Sequence, residues 1–213
     1  GGFDMTVQAM SGVMSVTGFP DREPIRCGAA IGDTGTGVHT AAAIMAAYIQ
    51  RQRTGQGQLV EVAMQETVAN LLRGRFVDHY REGKPSERRG NGLLGGVPGG
   101  AYPCAPGGPN DYAFIFAQQQ MWHPLLRAIE REDLIGNPRY ETAEARWQHK
   151  DEVDALVEGW TSQRTKHEVM KILAGAGVPC GACLDTGEIL TDPHLRARDM
   201  IVDADCSDGH KVK

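Results

Sequence analysis

Asp33 stands alone among glycines in Gly28-Ala-Ala-Ile-Gly-Asp-Thr-Gly-Thr-Gly37, immediately ahead of a long apolar run, and no other stretch restricts the fold as strongly. The run from Val38 to Arg53 contains Ala41, Ala42, Ala43, Ile44, Met45, Ala46, Ala47 and Ile49, and Gly55 follows as a stop signal. This pattern predicts a buried, tightly packed helix. Asp33 is thereby placed at or just before a helix start, where free N–H groups and the positive end of the helix dipole favour a carboxylate or an oxyanion. Two readings of the acid follow. In one it is an ordinary N-cap or turn residue, as Asp commonly is before a helix. In the other it is a nucleophile or base that a substrate reaches closely because its neighbours carry no side chains.

The remaining chain predicts an α/β protein. Phe3 to Val16 reads as a helix or turn lying under a sheet, closed by Thr17-Gly-Phe-Pro20. Gln58-Leu-Val-Glu-Val-Ala-Met64, flanked by Gly55 and Gly57, predicts a buried strand. Loop, helix and strand in this order suit the second half of a parallel sheet whose ligands bind near strand ends and helix starts. Val68, Leu71, Leu72, Phe76 and Val77 then recur at helical spacing, which predicts an amphipathic helix from Gln65 to Arg81. Charged residues from Glu82 to Gly90 break it and form a linker. Beyond lie a glycine cluster from Gly90 to Gly100, a strand at Asp111 to Ala117, and helices at Met121 to Glu132, Thr142 to Trp160 and Lys166 to Leu173. Trp122, Trp147 and Trp160 fall in those helices and are expected in the core.

Net charge of −5 argues against nucleic acid or an anionic membrane surface as a partner. No apolar run reaches the roughly 20 residues that span a bilayer. The N-terminus has neither a basic region nor a hydrophobic signal core, so a cytoplasmic location is expected. The five cysteines, Cys27, Cys104, Cys180, Cys183 and Cys206, are an odd number and read as reduced thiols. Cys180-Gly-Ala-Cys183 matches a C-x-x-C, but no second ligand pair completes a tetrahedral zinc site, and no metal is expected. The histidines lack ligand spacing. His39, six residues past Asp33, is the one that enters the candidate region, and it stays outside the catalytic set. Gly90 to Gly100 holds six glycines in eleven residues without a Walker or G-x-G-x-x-G pattern, which composition alone reads as a hinge.

Four segments, taken in order, resemble one family. Gly2-Phe-Asp-Met-Thr-Val-Gln-Ala-Met-Ser-Gly-Val-Met-Ser-Val-Thr-Gly18, the Asp33 segment, Arg53-Thr-Gly-Gln-Gly-Gln-Leu-Val-Glu-Val-Ala-Met64 and Gly99-Gly-Ala-Tyr-Pro-Cys104 are similar to the family III CoA-transferases, the CaiB/BaiF group. Gly28 to Gly37 and Gln65 to Arg81 look most like the formyl-CoA transferases within it. The resemblance implies a parallel nucleotide-fold-like sheet domain followed by a smaller mixed α+β domain, in interlocked homodimers. It implies a catalytic segment at residues 1–64, a connecting helix and linker at 65–89, a small domain with the Gly-rich loop at 90–185 and a return linker at 186–213. Family members are longer, so the chain is expected to be an internal fragment.

The chemistry the resemblance implies is carboxylate nucleophilic catalysis by Asp33 on an acyl-CoA, with a small carboxylic acid as acceptor and coenzyme A as the only cofactor-like participant. Backbone N–H groups of Gly32, Gly35 and Gly37 are expected as oxyanion donors. Gly95 and Gly96 match the core of a loop that covers the Asp adducts in that family. Leu93, Leu94 and Val97 depart from its pattern. Arg88 and Arg89 could pair with CoA phosphates or simply form a solvated surface. Two alternatives stand beside transfer: proton transfer of the α-methylacyl-CoA racemase type, and a non-catalytic piece that binds CoA or dimerises. In the racemases a His precedes the Asp of the first motif; here Phe3 precedes Asp4.

Overall fold

The computed structural model describes residues 2–92, 96–209 and 211–212. The chain divides into two compact units, Gly1–Asn91 and Gly92–Lys213.

The first unit is helical. Helix α1 (Asp4–Met10) leads through a short 3-10 turn at Val13–Val16 and a long connection to α2 (Ile31–Thr54), then α3 (Met64–Leu71) and α4 (Arg73–Glu82). Helix α2 starts at Ile31 and so absorbs most of the glycine segment that the sequence suggests is a loop. Glycine costs a helix interior only about 1 kcal/mol relative to alanine, and the alanine-rich run that follows propagates the helix readily. At its other end Gly55 adopts a left-handed conformation with φ of 75° and returns its N–H to Arg51 O, while Arg51 and Arg53 complement the negative end of the dipole.

Three expectations for this unit need correction. Helix α2 is apolar on several faces, yet only Gly32 in it is buried; Val38, Ile44, Met45, Tyr48 and Ile49 are exposed. Helices α1 and α3 pack against it, and these five side chains are left exposed among the described residues. Residues 58–63 form no strand, because a strand exists only through hydrogen bonds to a neighbour and none of the described residues supplies one. The helix expected over 65–81 is interrupted at Leu72, whose dihedrals of −86° and 7° end α3 and start α4 just before the poor helix former Gly74.

The second unit is built on a sheet of β1 (Gly99–Pro103), β2 (Tyr112–Phe116) and β3 (Cys180–Ala182) in that order. Both pairings are antiparallel, with Ala101 opposite Phe114 and Phe114 opposite Gly181, as suits the smaller mixed α+β domain and not the parallel sheet expected in the first unit. Helices α5 (Trp122–Ala128), α6 (Ala143–Gln148), α7 (Lys150–Thr161), α8 (Lys166–Gly175), α9 (Thr186–Thr191) and α10 (Pro193–Ala197) accompany it, with a short antiparallel pair of β4 (Ala204–Asp205) and β5 (Lys211–Val212) after them. Alternation along β2 buries Ala113 and Ile115, which join Trp122, Leu125 and Leu126 of α5, Val153 and Val157 of α7, and Val169 and Leu173 of α8 in one core. Thr165 and Glu168 close a capping box at the start of α8, and Asp185 and Glu188 do the same for α9.

The helix expected over 142–160 is broken at His149 into α6 and α7. Trp122 and Trp160 are buried as anticipated, but Trp147 is 50% exposed. On the short α6 the inward position belongs to Arg146, which turns the next residue outward. Arg146 is 1% exposed and lays its guanidinium over the Trp122 ring, 4.8 Å from the centroid.

Candidate active site

Counting from the N-cap Ala30, Asp33 is the third residue of α2. Its side chain is exposed, and among the described residues no group donates a hydrogen bond to its carboxylate. It is therefore not the N-cap acid of the simpler reading. Helix α2 gets no cap from Ala30, which has no side-chain acceptor to offer. Position N3 keeps one of the backbone N–H groups that an α-helix cannot satisfy internally, so positive potential surrounds the carboxylate.

The cap comes instead from α1. Asp4, 8% exposed, accepts the Gly32 N–H on Oδ1 at 2.7 Å and the Gln8 Nε2 amide on Oδ2 at 2.8 Å. Gln8 is fully buried. Its Oε1 accepts the Cys27 N–H at 2.8 Å, and its Nε2 also lies 3.4 Å from the carbonyls of Cys27 and Ala29. Sequence reasoning missed this pair. Its signal was present in the spacing of Asp4 and Gln8, four apart and so stacked on one face of a helix.

The glycines of the segment divide by helical face. A Cβ on Gly32 would lie 2.9 Å from Asp4 Oδ1 and 3.5 Å from both Asp4 Cα and Met64 Cε, so its bareness lets α1 and α3 approach. A Cβ on Gly35 would make ordinary contact with Thr67 at 3.5 Å, and one on Gly37 would meet nothing within 4 Å. Gly37 is one turn beyond Asp33 on the same exposed face. Helical side chains lean back over the preceding turn, so a glycine here leaves the approach to Asp33 open. Among the N–H groups of these glycines, that of Gly32 is given to Asp4, and those of Gly35 and Gly37 lie where the helical ladder takes them up.

His39 bridges two helices. Its Nδ1 lies 2.8 Å from Gly35 O and its Nε2 3.4 Å from Asn70 Nδ2. Because a carbonyl only accepts, Nδ1 carries the proton and Nε2 takes the amide's, and the ring ties α2 to α3. Arg88 donates to the carbonyls of Phe19 and Arg22 and so ties its segment to residues 19–22, while Arg89 pairs with Glu82 and Asp78 of α4.

In the second unit, Gly95 lies outside the described residues. Gly96 is buried against the Phe116 ring, which leaves no room for a Cβ. The next carbonyl, Val97 O, accepts from Arg146 Nε at 2.8 Å, while the same guanidinium donates to Tyr140 O, Glu141 O and Gln119 Oε1. Burial pushes the Cys180 thiol up to about 12 and raises that of Cys104, which keeps both protonated and unreactive at neutral pH. Among the described residues no group of His, Cys, Asp and Glu is placed to hold a metal ion.

Comparison with known proteins places this geometry in context. The family model described as CoA-transferase family III matches residues 1–213. A formyl-CoA:oxalate CoA-transferase of Streptomyces coelicolor is 43% identical over 94% of this chain and 52% of its own length. A succinyl-CoA–D-citramalate CoA-transferase of Chloroflexus aurantiacus is 34% identical over the whole of this chain and 52% of its own. The crystal structure of a CaiB/BaiF family protein from Brucella suis superposes with a TM-score of 0.80 at 30% identity, covering 99% of this chain and 54% of that one. The chain thus spans about half the length of the curated relatives it matches.

Proposed function

Because the chain belongs to CoA-transferase family III, we propose that the protein of which it forms part moves coenzyme A from an acyl-CoA to an acceptor carboxylic acid through covalent intermediates on Asp33. The observation that carries the reading is the division of labour at the start of α2: Asp4 takes the capping hydrogen bond, and Asp33 stays exposed with no donor on its carboxylate. A carboxylate left unpaired at a helix N-terminus is free to attack an acyl carbon, beside backbone N–H groups that favour developing negative charge.

In the proposed sequence an Asp33 oxygen attacks the thioester carbonyl and expels the CoA thiolate, leaving a mixed anhydride. The thiolate attacks the Asp33 carbonyl carbon and releases the donor acid, leaving an aspartyl-CoA thioester. The acceptor carboxylate attacks this thioester to form a second anhydride, and the thiolate attacks the acceptor's acyl carbon. Acceptor-CoA leaves and Asp33 is restored. The unpaired N–H at helix position N3 is the donor best placed to meet negative charge on each tetrahedral intermediate. The resemblance assigns to Gly95 and Gly96 the exclusion of water from the anhydrides.

The substrates proposed first are those in the relatives' names, formyl-CoA with oxalate and succinyl-CoA with citramalate. A homodimer belongs to the reading, supported by the apolar surface of Val38, Ile44, Met45, Tyr48 and Ile49, since an uncovered patch of this kind marks a contact. Residues 58–63 are proposed to join a parallel sheet in the whole protein. A donor and acceptor screen on the full-length enzyme, run beside an Asp33→Asn variant, tests the function. Transfer lost in the variant supports it. Solvent deuterium entering the α-carbon of an acyl-CoA without acceptor turnover would point to racemase chemistry instead.

A further inference from the structure

We propose that Gln8 and Asp4 are positioning residues for Asp33: together they clamp residues 27–32 and thereby set the place from which the nucleophile acts. This inference rests on the reading of Asp33 as the nucleophile.

Every hydrogen bond of the two side chains leads toward that helix start. Gln8 Oε1 holds the Cys27 N–H and Gln8 Nε2 holds Asp4 Oδ2, both at 2.8 Å, while Asp4 Oδ1 holds the N–H of Gly32, the residue directly before Asp33. An amide has one donor end and one acceptor end. Gln8 therefore satisfies the Cys27 N–H and the Asp4 carboxylate in one orientation alone, and the backbone leading into α2 is held in one register. An apolar pair of the same shape would replace the bond between the two side chains at little net cost, but it would leave the N–H groups of Cys27 and Gly32 without acceptors. What the polar pair supplies is direction. Gly32 completes it, since its missing Cβ is what allows Asp4 to come within 2.7 Å of its nitrogen.

The polarity of the clamp gives a test that separates positioning from bulk packing. Full-length enzyme is assayed with the donor and acceptor pair it turns over, and each rate is divided by the folded fraction read from near-UV circular dichroism. Asp4→Asn sets an amide donor against the Gln8 donor, and Gln8→Glu sets a carboxylate against the Asp4 carboxylate. Each is expected to lower kcat by about 10²-fold, the loss typical of a small misplacement of a reacting group, with KM for the acyl-CoA within about twofold of wild type. The double variant Asp4→Asn with Gln8→Glu restores the three short bonds, since the new amide donates to the new carboxylate, which accepts the Cys27 N–H, and the amide oxygen accepts from Gly32; only the 3.4 Å contacts of Gln8 Nε2 with the Cys27 and Ala29 carbonyls are lost. It is expected to recover at least about tenfold over either single variant. Single variants with wild-type kcat per folded molecule, or a double variant no faster than the singles, would overturn the clamp. An Asp33→Asn enzyme that keeps wild-type turnover would overturn the assignment of the nucleophile itself, which is a separate outcome.

Discussion

The Asp4 carboxylate caps a helix that starts far along the chain, accepting the N–H of Gly32, 28 residues downstream, at 2.7 Å. A charge-assisted bond of this kind contributes about 1.5–3 kcal/mol, more than most local caps. Its consequence falls on the neighbouring residue. Asp33 has no structural bond to keep and remains available for chemistry.

Gly32→Ala should destabilise the chain by about 1–3 kcal/mol, since the new methyl group would press on the Asp4 Oδ1 that accepts the Gly32 N–H. Urea denaturation of the chain measures this. Equal stability of the two proteins would mean that α1 does not hold the start of α2.

Gly37→Ala should do the reverse. The position is exposed, helical and free of neighbours, so the substitution should stabilise the chain by about 1 kcal/mol through helix propensity alone. In the full-length enzyme the same methyl group leans toward Asp33, and kcat/KM for acyl-CoA is expected to fall while the melting temperature rises. An unchanged kcat/KM would show that the bare face beside Asp33 is not used by substrate.

Arg146→Ala should cost at least about 3 kcal/mol, because the carbonyls of Val97, Tyr140 and Glu141 would lose a buried donor together with the stacking over Trp122. Denaturant unfolding followed by tryptophan fluorescence reads this directly. A loss below about 1 kcal/mol would mean that solvent replaces the guanidinium and that the segment after the glycine cluster has another anchor.

Lys166, the Asp185 N–H and His167 hold the Glu188 carboxyl down from its ordinary 4.5 to about 2. The folded state thus binds the Glu188 proton more weakly than the unfolded chain. Its contribution to stability is complete above pH 4.5 and disappears as pH falls toward 2. Denaturation midpoints measured across this window should fall less steeply for Glu188→Gln than for the native chain; parallel curves would contradict the linkage.

Much of the second unit was legible in the sequence because its signals are local. Strand β2, helix α8 and the core positions of Trp122 and Trp160 follow from alternation, a capping box and aromatic burial. The first unit was harder to read. Its apolar α2 pattern announces burial, but the surfaces that would bury Ile44 and Ile49 are not among the described residues. The strand expected at 58–64 depends likewise on a partner that spacing cannot supply. At the candidate site the position of Asp33 was readable from its glycines and the helix behind it. The spacing of Asp4 and Gln8 puts them on one helical face, but the groups they clamp, Cys27 and Gly32, were not readable because they lie far along the chain. The extent of α2 was misjudged for the same reason: a cap supplied from α1 lets the helix begin at Ile31, inside a stretch that local propensity reads as loop.

The account stands or falls on a covalent bond to Asp33. Full-length enzyme incubated with its acyl-CoA donor and quenched with hydroxylamine should carry a hydroxamate on the peptide containing Asp33 by mass spectrometry, in an amount approaching one per active site, and Asp33→Asn should carry none. Turnover of donor and acceptor with an unmodified Asp33 peptide would contradict it.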